Sequence, residues 1–122
     1  MQHSAGFLHL VHDAKTRIRE LNVDEARGHL AANPDARLID VREDHEWQAG
    51  HAARAEHMGR GIIERDIEGA VPDKATELIL YCGGGYRSAL AADNLQRLGY
   101  TNVYSMDGGW KAWKESGAPT VQ

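Results

Sequence analysis

An α/β fold, with helices on both faces of a mainly parallel sheet, is what this sequence predicts, on three observations. The runs Leu38-Ile39-Asp40-Val41 and Leu78-Ile79-Leu80-Tyr81 are short and largely apolar, as in strands covered on both faces. Segments with helical spacing of apolar residues alternate with such runs along the chain. The 122 residues, 42% apolar and 26% charged, suit one soluble domain with a real core.

Taken in order, Phe7, Leu10, Val11, Ala14 and Ile18 have the spacing of an amphipathic helix over 4–17. A strand at Ile18–Leu21 follows. Asn22 is an expected N-cap, with Glu25 completing a capping box. Val23, Ala26 and Leu30 form that helix's inner face, and Asn33-Pro34-Asp35 ends it. After the strand at 38–41, a short helix over Asp44–Ala49 stops at Gly50, expected to be a left-handed residue. Residues 54–58 read as a brief strand, and Ile62, Ile63 and Ile67 as a helical turn or two before Pro72. The strand at 78–81 leads into a helix beginning near Arg87, carried by Leu90, Ala91, Asn94, Leu95 and Leu98 and closed by Gly99. Val103–Met106 is a strand, and Trp110–Glu115 a last helix before Gly117.

Composition excludes several classes. Fourteen basic residues against eighteen acidic give a net charge of -4. The ten arginines are scattered and form no nucleic-acid-binding stripe. No apolar run is long enough to span a membrane, and the N-terminus lacks the pattern of a secretory signal. A single cysteine excludes an internal disulfide and a cysteine-based zinc site. Cytoplasm is the expected compartment.

That cysteine, Cys82, stands at the C-terminal end of the strand 78–81, where ligands of open α/β sheets bind. Gly83, Gly84 and Gly85 let the chain curl with its amides inward, as an anion nest. The helix start adds partial positive charge, and Arg87 a full one. The thiolate is the nucleophilic form of cysteine, and such surroundings favour it. The bland alternative is a buried small side chain beside a tight turn. Cys-x4-Arg-Ser by itself is a modest signal.

Three separated segments are more specific: "LIDVREDHEWQAGHAARA" (38–55), "YCGGGYRSA" (81–89) and "NVYSMDGGWKAW" (102–113). In order and spacing they resemble the signatures of the rhodanese family, over roughly residues 18–116. The resemblance implies a three-layer α/β/α sandwich with a five-stranded, mainly parallel sheet in the order 3-2-4-5-1. Residues 1–17 then form an N-terminal helical extension, 18–116 the rhodanese-like domain and 117–122 a C-terminal tail. It also implies that Cys82 is the sulfur-carrying nucleophile and that Gly83, Gly84, Gly85, Tyr86, Arg87 and Ser88 form the loop around a persulfide, which Arg87 closes. Asp40 and Arg42 match a segment that supports the site, while Gly50-His51 and Asp107-Gly108-Gly109-Trp110 match flanking structural signatures. Two departures stand out. Ala52-Ala53-Arg54-Ala55 replaces the usual apolar-Pro-Gly-Ala, and Gly83 replaces the second basic residue that some thiosulfate-using members carry after the cysteine.

The activity implied is a two-step transfer of sulfane sulfur from thiosulfate or a similar donor to cyanide or a thiol, a thioredoxin-like protein being one candidate acceptor. It needs no metal or organic cofactor, and neither nucleic acid nor membrane is an expected partner. A phosphatase or arsenate reductase on the same fold uses a Cys-x5-Arg loop, one residue longer than Cys82 to Arg87. A catalytically idle binding or regulatory module is the other alternative, against which the intact cysteine argues. His9, His12 and Asp13 suit a surface group better than a metal site. His51 and His57 flank the site region, with His51 expected as a hydrogen-bonding turn residue. Trp47, Trp110 and Trp113 are expected as packing aromatics. Arg54, Arg60 and Arg65 are candidates for a pocket rim that steers anionic donors, and equally for a solvated surface.

Overall fold

The computed structural model describes residues 2–122. Its main sheet has five strands: β1 (Arg19–Leu21), β2 (Arg37–Asp40), β4 (Glu56–His57), β5 (Leu78–Tyr81) and β6 (Val103–Met106). They stand in the order β1-β6-β5-β2-β4, every neighbouring pair parallel. Numbered among themselves, this is the expected 3-2-4-5-1 order from the other edge.

Alternation along the strands divides the core in two. Ile39, Val41, Leu78, Leu80 and Cys82 join the cluster that includes Ile63 and Ile67 of α4 (Ile63–Ala70) and Ala91, Ala92 and Leu95 of α5 (Tyr86–Arg97). Leu38, Ile79, Tyr81 and Met106 join Val23, Ala26 and Leu30 of α2 (Val23–Ala32) and Trp113 of α6 (Gly109–Glu115). Cys82 therefore continues the inward phase of β5 toward α4 and α5. This explains why Leu78–Tyr81 reads as an unbroken apolar run: both phases are covered.

The capping box of α2 is formed, with Glu25 N donating to Asn22 Oδ1 at 2.8 Å and Asn22 N to Glu25 Oε1 at 2.9 Å. The first helix, α1 (Ala5–Lys15), is capped by Ser4, whose Oγ accepts from Phe7 N. It packs on α5 through a narrow stripe in which Val11 and Ala14 are buried. Leu10, expected on the inner face, is 58% exposed: α1 covers one helix rather than a sheet, so a residue one step off the stripe misses its partner. Beyond the end of α1, Arg17 grips Asp93 of α5 with Nε to Oδ1 at 3.0 Å and Nη2 to Oδ2 at 2.8 Å.

Two features differ from expectation. Gly50, after α3 (Asp44–Ala49), has the positive φ expected of it, +148°, but with ψ +147° it is extended rather than helical. It is extended enough to start β3 (His51–Ala52), which pairs antiparallel with β7 (Thr120–Val121) in a second, two-stranded sheet. Arg54, where the family usually has glycine, takes φ +74°. A side chain in that region costs about 1 kcal/mol. Its guanidinium donates to the carbonyls of Leu30, Asn33, Pro34 and Ala36, securing the chain after α2.

Candidate active site

The loop from Cys82 to Ser88 turns through Gly85, which has φ +101° and serves as the N-cap of α5. A side chain there would be strained, and its Cβ would lie 3.3 Å from Gly108 N. This turn aims amides at the sulfur: Gly85 N lies 3.1 Å and Ser88 N 3.4 Å from Cys82 Sγ. The Ser88 hydroxyl, buried, is 3.5 Å from the sulfur and 2.8 Å from Ser105 Oγ on β6. The sulfur thus sits on the free amide end of a twelve-residue helix, which favours negative charge.

A second helix holds the loop from behind. Trp110 N donates to Cys82 O at 2.7 Å and Lys111 N to Gly83 O at 3.2 Å, so the first turn of α6 binds the carbonyls that the curled loop turns outward. This close approach requires Gly109, which has φ +53° and whose Cβ would stand 2.3 Å from Cys82 O. The Asp107-Gly108-Gly109-Trp110 run is thus a clamp on the cysteine loop.

Arg87 lies across the loop. Its Nη2 would stand 3.2 Å from a Cβ on Gly83, so a larger residue after the cysteine would press on the guanidinium. Its hydrogen bonds run to Glu46 of α3, Nη1 to Oε1 at 2.7 Å and Nη2 to Oε2 at 3.2 Å. This forked contact, aided by the Glu43 backbone, holds the Glu46 carboxyl down to about 2 against the cost of its partial burial. The guanidinium is held still more firmly charged, first by Glu46 and further by the negative charge available at Cys82.

Asp40 and Arg42 are buried together at the end of β2. Arg42 Nη2 donates to Asp40 Oδ2 at 2.8 Å and to Gly50 O at 2.7 Å, while its backbone N reaches Asp40 Oδ1 at 2.9 Å. The guanidinium also lies 4.9 Å from the Trp110 ring centroid. The pair thus ties β2 to α3 and to the residue after Gly109, and its hydrogen bonds stop short of the sulfur. His51 Nδ1 lies 3.1 Å from Trp47 O, and the Trp47 ring stacks on the rings of His51 and His57.

An open cavity of about 1030 Å³ reaches Cys82, Gly83, Gly84, Tyr86 and Arg87. Of the three arginines considered for its rim, Arg60 lines it. Arg65 lies outside, paired with Asp66 at 2.7 Å on the exposed side of α4, and Arg54 is taken up by carbonyls in the last turn of α2 and just beyond it. The cavity also has walls not anticipated from sequence: Glu46, Lys111 and the N-terminal residues His3 and Phe7. Ser105 was likewise missed, although one serine facing inward from the run Val103–Met106 is a signal in itself. Among the described residues, no group of three His, Cys, Asp or Glu side chains is arranged to hold a metal ion, and no helix is long and apolar enough to cross a membrane.

The geometry can be set beside known proteins. The family model of the rhodanese-like domain matches residues 22–116. The thiosulfate sulfurtransferase GlpE of Stutzerimonas stutzeri is 31% identical over 90 residues, 74% of this chain and 81% of that one. The Vibrio cholerae protein of the same name is 33% identical over 84 residues, 69% and 77% of the two chains. Among solved structures, the polysulfide-sulfur transferase homodimer of Wolinella succinogenes superposes with a TM-score of 0.82 at 32% identity, covering 96% of this chain and 88% of that one. A Rhodopseudomonas palustris protein of unknown function, described as a possible tyrosine phosphatase, gives 0.81 at 26% identity, covering 98% and 96%. With its matched domain, its parallel five-stranded sheet and its cysteine loop at a strand end, the chain belongs to the rhodanese family.

Proposed function

We propose that the chain is a sulfurtransferase that carries sulfane sulfur on Cys82, taking it from thiosulfate or a similar donor. The observation that carries this is the only thiol of the chain, set at a helix N-terminus with the amides of Gly85 and Ser88 directed at its sulfur. In the first step the Cys82 thiolate attacks the outer sulfur of thiosulfate. A Cys82–sulfur bond forms as the bond to the sulfonate sulfur breaks, and sulfite leaves with the electron pair. The negative charge now rests on the outer persulfide sulfur. In the second step cyanide or a thiolate attacks that sulfur and the Cys82 thiolate departs. A thioredoxin-like protein is one acceptor of the required chemistry. Arg87, steadied by Glu46, attracts the anionic donor, and the Ser88 hydroxyl steadies the charge on sulfur. The chemistry uses no metal and no organic cofactor.

The description of the R. palustris neighbour favours a second reading, phosphate ester hydrolysis. The span from Cys82 to Arg87 argues against it. The persulfide intermediate adds one sulfur atom to the nest, whereas a phosphoryl group bound on Cys82 brings three oxygens that all need donors. Turnover of thiosulfate with cyanide and of an aryl phosphate, measured under identical conditions, separates the two. Sulfur transfer that disappears in Cys82→Ser, with no phosphate release, is expected. Phosphate release outpacing sulfur transfer would establish the phosphatase instead, and an inert protein in both assays would leave the binding-module alternative.

A further inference from the structure

Ser105 lies fully buried on β6, and no step of the sulfur transfer above uses it. It shares the phase of Val103 and stands beside Leu80, on the face of the sheet that also carries Cys82. A hydroxyl taken out of water is costly unless it is hydrogen-bonded. Here Ser105 Oγ meets Ser88 Oγ at 2.8 Å, and Ser88 Oγ lies 3.5 Å from Cys82 Sγ. All three residues are buried, so one sulfur and two oxygens form a chain with two contacts. Hydrogens can be counted along it, since each hydroxyl carries one hydrogen and can also accept. With Cys82 as a thiol there are three hydrogens for two contacts, and one has no acceptor in the chain. With Cys82 as a thiolate there are two, and both are used when each hydroxyl points toward the sulfur. Ser105 then donates to Ser88, and Ser88 donates to Sγ. Either oxygen of the serine pair can be the donor, so this arrangement needs only rotation of the two hydroxyls.

We propose that Ser105 is a positioning residue for the sulfur transfer, turning the Ser88 hydrogen onto the Cys82 sulfur and so favouring its anion. The inference rests on the sulfurtransferase reading and deepens it. The anion it favours attacks the donor in the first step and departs in the second. On ionisation the thiol proton goes to water, while each serine keeps its own hydrogen and only turns. A hydroxyl that receives a hydrogen bond is polarised into a stronger donor, and a bond to an ionised acceptor gains more from this than a bond to a neutral one. Ser105 does not reach the sulfur itself, so its action passes through Ser88.

The test measures the rate of Cys82 alkylation by iodoacetamide against pH in the full chain, beside single-turnover persulfide formation from thiosulfate. The open cavity gives the reagent access to Cys82. The midpoint of the alkylation profile reports the thiolate and does not depend on how much of the protein is folded. In Ser105→Ala it is expected to move up by about 0.3 pH unit or more, a factor of about two. Persulfide formation below the wild-type midpoint is expected to fall by a similar factor. The same substitution made in Ser88→Ala is expected to leave the midpoint where Ser88→Ala alone puts it, because nothing then carries the effect to the sulfur. A merely structural role for Ser105 would lower Tm in both backgrounds without this difference between them. A midpoint that moves by less in Ser105→Ala, or moves down, overturns the positioning role. A shift that persists in the Ser88→Ala background overturns it as well, and neither result touches the sulfurtransferase reading. Wild-type protein that takes no sulfur from thiosulfate removes that reading, and with it the role of Ser105 in sulfur transfer, whatever the alkylation profiles show.

Discussion

Replacing Gly109 with alanine puts a methyl group where the backbone of the cysteine loop already lies. The new Cβ would stand 2.3 Å from Cys82 O and 2.9 Å from the carbonyl carbon and oxygen of Gly83. These are main-chain atoms, so no side-chain rotation relieves the overlap; α6 must draw back from the loop. The withdrawal weakens the bonds from Trp110 N to Cys82 O at 2.7 Å and from Lys111 N to Gly83 O at 3.2 Å, worth about 1 kcal/mol each. Alanine at φ +53° adds about 1 kcal/mol of backbone strain. Together these amount to about 3 kcal/mol, or a fall in Tm of about 10 °C for a domain of this size. The donor half-reaction should weaken as well, because the carbonyls that α6 fixes belong to Cys82, the proposed nucleophile, and its neighbour. Thermal unfolding followed by circular dichroism gives the first number and stopped-flow persulfide formation the second. Gly28→Ala is the control: nothing lies within 4 Å of its Cβ inside α2, so a gain of about 0.5–1 kcal/mol is expected. A Gly109→Ala protein that melts within about 2 °C of wild type and loads sulfur at the normal rate refutes the clamp.

Three further outcomes follow from the same geometry. Asp40→Ala leaves Arg42 buried without its counter-charge and should cost about 3–5 kcal/mol by denaturant unfolding; a loss below about 1 kcal/mol would contradict the pairing. Ser88→Ala removes a hydroxyl from the sulfur and strands that of Ser105. It should slow persulfide formation roughly fivefold, about 1 kcal/mol, and unchanged single-turnover rates would count against this contact. Glu46 has its folded-state value depressed to about 2 by Arg87, so its stabilisation is fully present above its ordinary value near 4.5 and is lost as pH falls toward 2. The stability difference between wild type and Glu46→Gln should therefore be flat above about pH 5 and shrink through that window; a difference that grows on acidification would refute the assignment.

Much of the fold was legible because the strands that matter are covered on both faces. Leu78–Tyr81 has no polar phase to blur its limits, and Asn22 with Glu25 marked a helix start by a contact local to four residues. The strand order came from the family resemblance alone, since alternation of elements does not say which strands pair. The β3–β7 sheet was illegible: two-residue strands have no period, and their pairing joins residues 51–52 to 120–121. Arg54 showed as a departure from the usual glycine, but its four carbonyl partners lie 18 to 24 residues away. The cysteine loop was legible because its chemistry is contiguous from Cys82 to Ser88. Glu46 on Arg87, Ser105 behind Ser88 and His3 against Tyr86 were not, since each comes from a distant element and is ordinary in its own segment.

Mass spectrometry of the whole protein after brief exposure to thiosulfate tests the central claim most directly. The account predicts a gain of about 32 Da, one sulfur, located on the peptide containing Cys82, removed by cyanide with release of thiocyanate and absent from Cys82→Ser. As Cys82 is the only cysteine of the chain, no other thiol can supply that signal. Folded wild-type protein that gains no sulfur from thiosulfate, or a Cys82→Ser variant that still turns over thiosulfate, would contradict it.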